Sequence, residues 1–333
     1  MATTALTDIK FQSNIFKEAL SAVFSDKLRF YNEVLRPAPD AVISANETGQ
    51  FVSLPQYSPV SSRMTSIASG NTLTPGKLTQ TNDRAAWLER EIAIASEEIV
   101  KIVSANDPTE EVAIQAATIL AREVNYTTIS ALTGIFAAAL LGSHVHDDSG
   151  NTVSLEGLQA AKFKLGDSFE DLTLAICNSK VYNDMLTKKI AVEAGASTVT
   201  VDSGRIFTAL GMTVGAEDAL TAVSSVYKTY LAKPGAIIFK FRNRPAQTFS
   251  AKNVTRVDTG TGVIADFEIA RDPLNSGGVD TIIIRASYLV HPVGLAFTDQ
   301  TTNPSDTDLA TGANWTKVAS DDRQIGLIQY LTK

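Results

Sequence analysis

One cysteine, Cys177, in a chain of 333 residues rules out an internal disulfide and a cysteine zinc cluster. Whatever stiffens the fold is therefore non-covalent or comes from neighbouring chains. Basic residues are in the minority: 29 Lys and Arg against 36 Asp and Glu leave a formal net charge of −7 and an isoelectric point near 5.1. That balance excludes a tight, direct grip on a nucleic-acid backbone, which needs clustered cations. It does not exclude enclosing a nucleic acid, since a wall must not adhere to the polymer behind it. Residues 1–10 (MATTALTDIK) lack a basic region followed by an apolar one, so no secretory signal is expected. The most apolar run, Ile129 to Gly142, is about 14 residues, short of the roughly 20 that span a bilayer, and reads as a buried helix end.

Catalytic signatures are missing as well. Gly70 to Lys77 (GNTLTPGK) approaches a phosphate loop, but five residues separate its glycines and Leu78 stands where Ser or Thr must reach magnesium. Asp258 to Gly262 (DTGTG) lacks the third glycine of a dinucleotide fingerprint. His144, His146, Asp147 and Asp148 stand together and could hold a metal from one edge; without a third committed ligand they read as a solvated helix exit. His291, before Pro292, reads as structural, and Cys177 in the run LTLAIC as a core thiol. No GxSxG or HExxH occurs, and no cofactor is expected.

What is present is a globular composition, with 44% hydrophobic residues and a mean hydropathy of +0.04. Phe11 to Leu35 places Phe11, Ile15, Phe16, Leu20, Phe24, Leu28 and Tyr31 at helical spacing until Pro37 and Pro39 stop it. This helix precedes any core, so its stripe must dock on a later part of the chain or on another subunit. Residues 44–82 turn polar and are punctuated by Gly49, Pro55, Pro59 and Gly70, the pattern of a long extended hairpin. Ala85 to Val103, with Trp87, Ile92, Ile94 and Ile99, reads as helical.

Pro108 to Leu141 carries the strongest signal. Asn106 or Asp107 is placed as N-cap, Pro108 in the first turn, Glu110 and Glu111 at the positive end of the dipole, and Gly142 as the stop. Such a rod approaches roughly 50 Å at 1.5 Å per residue, and its many alanines let other elements pack close. Beyond it come a helix over Leu155–Lys164, a strand over Leu172–Cys177, a helix over Ser179–Ile190 and a short strand over Thr198–Val201. Three strands then follow, Ala236–Arg242, Val263–Ala270 and Thr281–Val290. The last thirty residues read as a polar loop before an apolar end, Ile325 to Leu331.

The order of arm, polar hairpin, very long helix, mixed domain and late strands resembles the major capsid proteins of tailed phages, the Hong Kong 97 type. Ala175 to Leu186 (AICNSKVYNDML) is similar to that family's strand-then-helix segment, with Ser179, Val181, Tyr182 and Asn183 retained and Cys177 and Asn178 replacing its start. Phe267 to Phe297 resembles its late strands through Glu268, Arg271, Asp272, Gly277, Gly278, Asp280, Arg285, His291, Pro292 and Gly294. The resemblance implies an α+β fold with an N-terminal arm (1–46), an extended loop (47–92) and a peripheral domain with a spine helix (93–153, the spine at about 108–141). It further implies an axial domain (154–255), returning peripheral strands (256–300) and a C-terminal segment (301–333).

It also implies a non-enzymatic protein that forms the hexamers and pentamers of an icosahedral head around double-stranded DNA, with no cofactor and no membrane partner. Its partners would be further copies of itself, portal and scaffolding proteins and optionally a decoration protein, with DNA touched weakly and non-specifically. Its place would be the virion, after assembly in the host bacterial cytoplasm. With only about forty-five residues before the hairpin, no fused scaffolding region is expected. Candidate contacts between subunits are Phe16 and Phe24 on the arm and Arg63, Lys77, Arg84 and Arg90 on the loop and its base. With Glu89, Glu91, Glu97 and Glu98, the four cations also fit an ordinary solvated face. The alternatives are an encapsulin-like compartment shell, which cargo distinguishes, a tail or accessory structural protein, which would form tubes or rings, and an enzyme with a dispersed site.

Overall fold

The computed structural model describes residues 34–39, 42–46, 48–58, 64, 76–97, 109–137, 139–188, 190, 192–193, 207–244, 254–258, 264–272 and 279–333. The arm helix, the N-cap Asn106–Asp107 with Pro108, and the strand expected over Thr198–Val201 lie outside them. The strands are β1 (Leu35–Pro37), β2 (Phe51–Tyr57), β3 (Gln80–Ala86), β4 (Leu88–Glu97), β5 (Val145–Asp147), β6 (Leu174–Cys177), β7 (Val192–Glu193), β8 (Phe207–Ala209) and β9 (Met212–Ala216). They continue as β10 (Tyr227–Ala232), β11 (Ile237–Phe241), β12 (Val254–Asp258), β13 (Ile264–Asp272), β14 (Val279–Pro292), β15 (Leu295–Phe297), β16 (Trp315–Lys317) and β17 (Leu327–Thr332). The helices are α1 (Thr109–Ala137), α2 (Leu155–Lys162), α3 (Ser179–Thr187) and α4 (Asp306–Ala310).

Two sheets organise the chain. The first runs β1-β11-β14-β13-β12 with β4 alongside β14, and the second runs β5-β17-β10-β6-β9-β8-β7. Alternation along β14 makes the first sheet two-faced. Ile282, Ile284, Ala286 and Tyr288 are buried towards α1, whose Leu120, Ala121, Val124, Ala131, Leu132 and Ile135 share their core. Thr127 and Tyr288 close this interface with a hydroxyl–hydroxyl hydrogen bond of 2.9 Å. At Gly134 α4 passes so close that a Cβ would collide with the Leu309 carbonyl and the Trp315 ring, whose Nε1–H donates to Leu309 O at 2.7 Å. The second sheet holds its own core, with Leu158, Ala175, Cys177, Val181, Met185, Leu231, Ile328 and Tyr330. Cys177 is the expected core thiol, and burial pushes it up to about 12.

Strand-then-helix geometry appears where AICNSKVYNDML suggests it, on β6 and α3. Asn178 caps α3 by accepting from Lys180 N–H at 2.9 Å, and Val181 is buried. Four expectations change. Ala85 to Glu97 forms strands, not a helix: Leu88, Ile92 and Ile94 alternate towards α1, and Arg90, sharing their face, hides the period of two. Leu35 belongs to a strand paired in parallel with β11, since Pro37 fits an extended edge and not a helix end. The long helix stops at Ala137, and a 3₁₀ stretch, Ala139–His144, kinks at Leu141 and runs through Gly142, so Gly142 caps nothing. The C-terminal loop instead contains α4, started by a Ser305–Asp308 capping box and held by Leu309, too short to show a period.

β11 lies in the first sheet, because Lys233–Ala236 turns the chain back from β10. A third, small core joins β2 and β3 to the first sheet through Ile43, Val52, Leu54, Ala85, Trp87 and Leu289. Trp87 is fully buried there, under the Arg242 guanidinium at 4.8 Å. Trp87→Ala is expected to cost about 3–5 kcal/mol, seen as a lower urea midpoint with unchanged far-ultraviolet dichroism.

Candidate assembly surfaces

β2 and β3 form an antiparallel hairpin whose register runs from Phe51↔Ala86 to Tyr57↔Gln80, and Ser58 N–H donates to Thr79 O at 2.9 Å. Among the described residues neither strand pairs with any other. Val52 and Leu54 point into the small core, while Ser53, Pro55 and Tyr57 face outward. Tyr57 and Leu78 are each more than half exposed and Met64 is fully exposed, apolar side chains left open to solvent along this part of the chain. Its root is tied by polar contacts. Asp83, itself buried, accepts from His291 Nε2–H and from Gly294 N–H, both at 2.8 Å. Arg84 donates through Nε to Phe297 O at 2.7 Å, reaches Asp299 O, and lies 4.2 Å over the Phe51 ring.

β4 carries two further charge clusters, one on each face. Arg90 donates to Asp306 Oδ1 at 2.9 Å, Pro304 O at 3.1 Å and Glu123 Oε1 at 3.3 Å, joining β4, α1 and the C-terminal segment. Beside it a cavity of about 170 Å³ is walled by Ile92, Ile119, Leu120 and Ile284. On the other face Glu89 meets Arg242 Nη2 at 2.7 Å and Arg244 Nε at 2.8 Å. Burial pushes the Glu89 carboxyl up, but the two guanidinium groups outweigh it and hold it below its ordinary value. A row of alternating charge crosses this same face, from Arg256 on β12 to Asp266 on β13, Arg285 on β14 and Glu91 on β4. Arg285 is directly opposite both Asp266 and Glu91, and its ion pair with Glu268 lies on the diagonal.

The residues that sequence reading weighed as a metal edge do not converge. His144 is buried, not solvated: its Nδ1–H donates to Leu327 O at 2.8 Å as the chain passes from α1 to β5. His146 instead packs on Tyr330, with ring centroids 5.5 Å apart and the rings tilted by 31°. Among the described residues no three His, Cys, Asp or Glu side chains could share a metal ion. Nor is any described helix long and apolar enough to cross a membrane. Burial lowers the His144 pKa, so the unfolded chain takes up this proton first. The stability His144 contributes is therefore complete above its ordinary 6.5 and lost as pH falls through the lowered folded value. Melting temperatures between pH 7.5 and 5 should fall more steeply in the parent than in His144→Asn, which keeps a donor for Leu327 O.

Comparison with known proteins decides what kind of surfaces these are. The major capsid protein 13-like family matches residues 11–257, well over half of the sequence. The chain belongs to this family. It is 26% identical over 293 residues to the major capsid protein of Bacillus phage SPP1, covering 85% of this chain and 83% of that one. The capsid asymmetric unit of cyanophage Pam1 superposes with a TM-score of 0.56 at 12% identity, over 93% of this chain and 92% of the other. The capsid of Ralstonia phage GP4 gives 0.56 at 9% identity, over 91% and 90%. The protein is a tailed-phage major capsid protein with an α+β fold of Hong Kong 97 type, a structural component of the virion.

Of this capsid protein's candidate contact residues, Phe16, Phe24 and Arg63 lie outside the described residues, while Lys77 is exposed beside the start of β3. Arg84 donates to Phe297 O on β15, and Arg90 pairs with Glu123 on α1 and Asp306 on α4. Asp83, Arg242 and Asp306 were missed by sequence reading. The available signal was Asp83 in QTNDRAA, two residues from Ala85 and so on the inward face of a strand.

Proposed function

We propose that this capsid protein builds, through hexamers and pentamers, the closed icosahedral head of a tailed phage around double-stranded DNA, and that it catalyses no reaction. The hairpin β2–β3 carries this reading. Apolar side chains are exposed on it and on the segment it bounds, at Tyr57, Leu78 and Met64, and no other described strand of its own chain pairs with it. A neighbouring copy is the natural cover. Arm, hairpin, spine and sheet would each add a modest contact, and many modest contacts per subunit sum to a stable shell.

The acidic balance of the chain fits DNA held inside and touched only weakly. Portal and scaffolding proteins, with a decoration protein as an optional addition, complete the expected partners, and assembly takes place in the host bacterial cytoplasm. Negative-stain microscopy and sedimentation of the protein, expressed with and without its neighbouring phage genes, test the proposal. Closed particles or capsomer rings, with nucleic acid inside the particles, are expected. Protein cargo in place of nucleic acid would point to a compartment shell, and a monomer under every condition would overturn assembly altogether.

A further inference from the structure

We infer that Asp83 is the positioning residue that sets the direction of the β2–β3 hairpin, by latching it to the turn between β14 and β15. The inference rests on the reading above that the hairpin reaches a neighbouring copy. Apolar packing at the hairpin root, through Val52, Leu54, Ala85 and Trp87, is non-directional and resists separation more than rotation. Hydrogen bonds to a carboxylate are directional. Asp83 uses one oxygen for His291 Nε2–H and the other for Gly294 N–H, so both of its oxygens are held at once.

The anchor itself is rigid. Gly294, at φ +87°, turns the chain where a Cβ would press on Ala319 and Ile325, and its carbonyl accepts from Val318 N–H at 2.9 Å and Ala319 N–H at 3.1 Å. Val293 N–H donates to Ala236 O at 3.0 Å, and the His291 ring stacks on Trp315. The turn is thus held by two separate segments, Trp315–Ala319 and Ala236, before Asp83 engages it. Stability alone does not call for a buried carboxylate here, since well-packed apolar groups at such positions are often as stable or more so. Fixing an angle does call for one.

Spin labels at Tyr57→Cys and Thr307→Cys report the hairpin direction as an electron–electron distance in the dispersed protein; Cys177, buried and poorly ionised, stays unlabelled. Asp83→Asn is the main variant: its amide leaves one of the two donors without an acceptor at nearly unchanged volume. His291→Gln attacks the same latch from the other side. Both variants should melt cooperatively with parental near-ultraviolet dichroism, while the single narrow distance peak spreads into a broad distribution and shells become irregular or fail to close. An unchanged narrow distance in the folded variants overturns the latch, even if shells are lost. Broadened distances with normal closed shells uphold the latch and overturn the role of the hairpin in assembly. Should Asp83→Ala also be made and fail to fold, the two milder variants still decide.

Discussion

A chain in which residues 59–78 are replaced by Asn-Gly is expected to fold, to melt close to the parent and to form no closed shells. Ser58 and Thr79 are already joined by a backbone hydrogen bond at the end of the β2–β3 ladder, so a two-residue turn with positive φ closes the hairpin in its existing register. The borders matter. A cut from residue 50, the obvious choice from sequence alone, would remove Val52 and Leu54 from the small core that also holds Trp87, and would confuse lost folding with lost assembly. With the root kept, Asp83, Arg84 and both faces of the first sheet are untouched. Urea unfolding of the shortened chain should match the parent within about 1 kcal/mol, because every residue of the small core at the hairpin root is kept. Sedimentation should then show capsomers or monomers where the parent gives particles. Normal shells from the shortened chain would remove the hairpin from the assembly mechanism.

Much of this architecture was legible because long elements announce themselves. α1 showed its helical period over many turns, and β11, β13 and β14 their β-branched runs within a few residues of the observed ends. The misreadings have local causes. Arg90 lies among Leu88, Ile92 and Ile94 because its head finds Asp306 and Glu123, partners more than thirty positions away that no local pattern can show. His144 looked like a solvated loop residue because burial by β17 depends on a strand nearly two hundred residues later. The hairpin latch was half visible: His291, Pro292 and Gly294 stood out as a family-like motif, but their acceptor Asp83 lay in a polar stretch that reads as solvent-facing. Polar residues buried by tertiary pairing are where a sequence period fails, and in this chain they are also where strands, spine and C-terminal segment are joined.

Arg90→Met is expected to lower stability by about 2–3 kcal/mol, through the charged hydrogen bonds it makes to separate segments rather than through its stem, whose volume methionine keeps. The loss should not divide evenly between its two acids. Asp306 Oδ1 lies at 2.9 Å and opens the first turn of α4, where a negative charge also faces the helix dipole; Glu123 Oε1 lies at 3.3 Å. Burial and the nearby Asp306 charge raise the Glu123 pKa, outweighing Arg90. Its carboxylate is the strained member of the trio. Asp306→Asn should therefore cost about 1 kcal/mol, whereas Glu123→Gln should be within about 0.5 kcal/mol of neutral. The pH dependence follows with a definite sign. A raised folded pKa means that the folded chain holds this proton more tightly, so the contribution of Glu123 is complete below its ordinary 4.5 and is lost as pH rises through the raised value. Glu89, on the opposite face of the same strand, has a lowered pKa and the reverse dependence, contributing above 4.5 and losing its effect as pH falls. Urea midpoints at pH 4 and pH 7 separate the two. Relative to the parent, Glu123→Gln should gain on going to pH 7 and Glu89→Gln should lose, and if both variants move in the same direction the charge assignment around β4 is wrong.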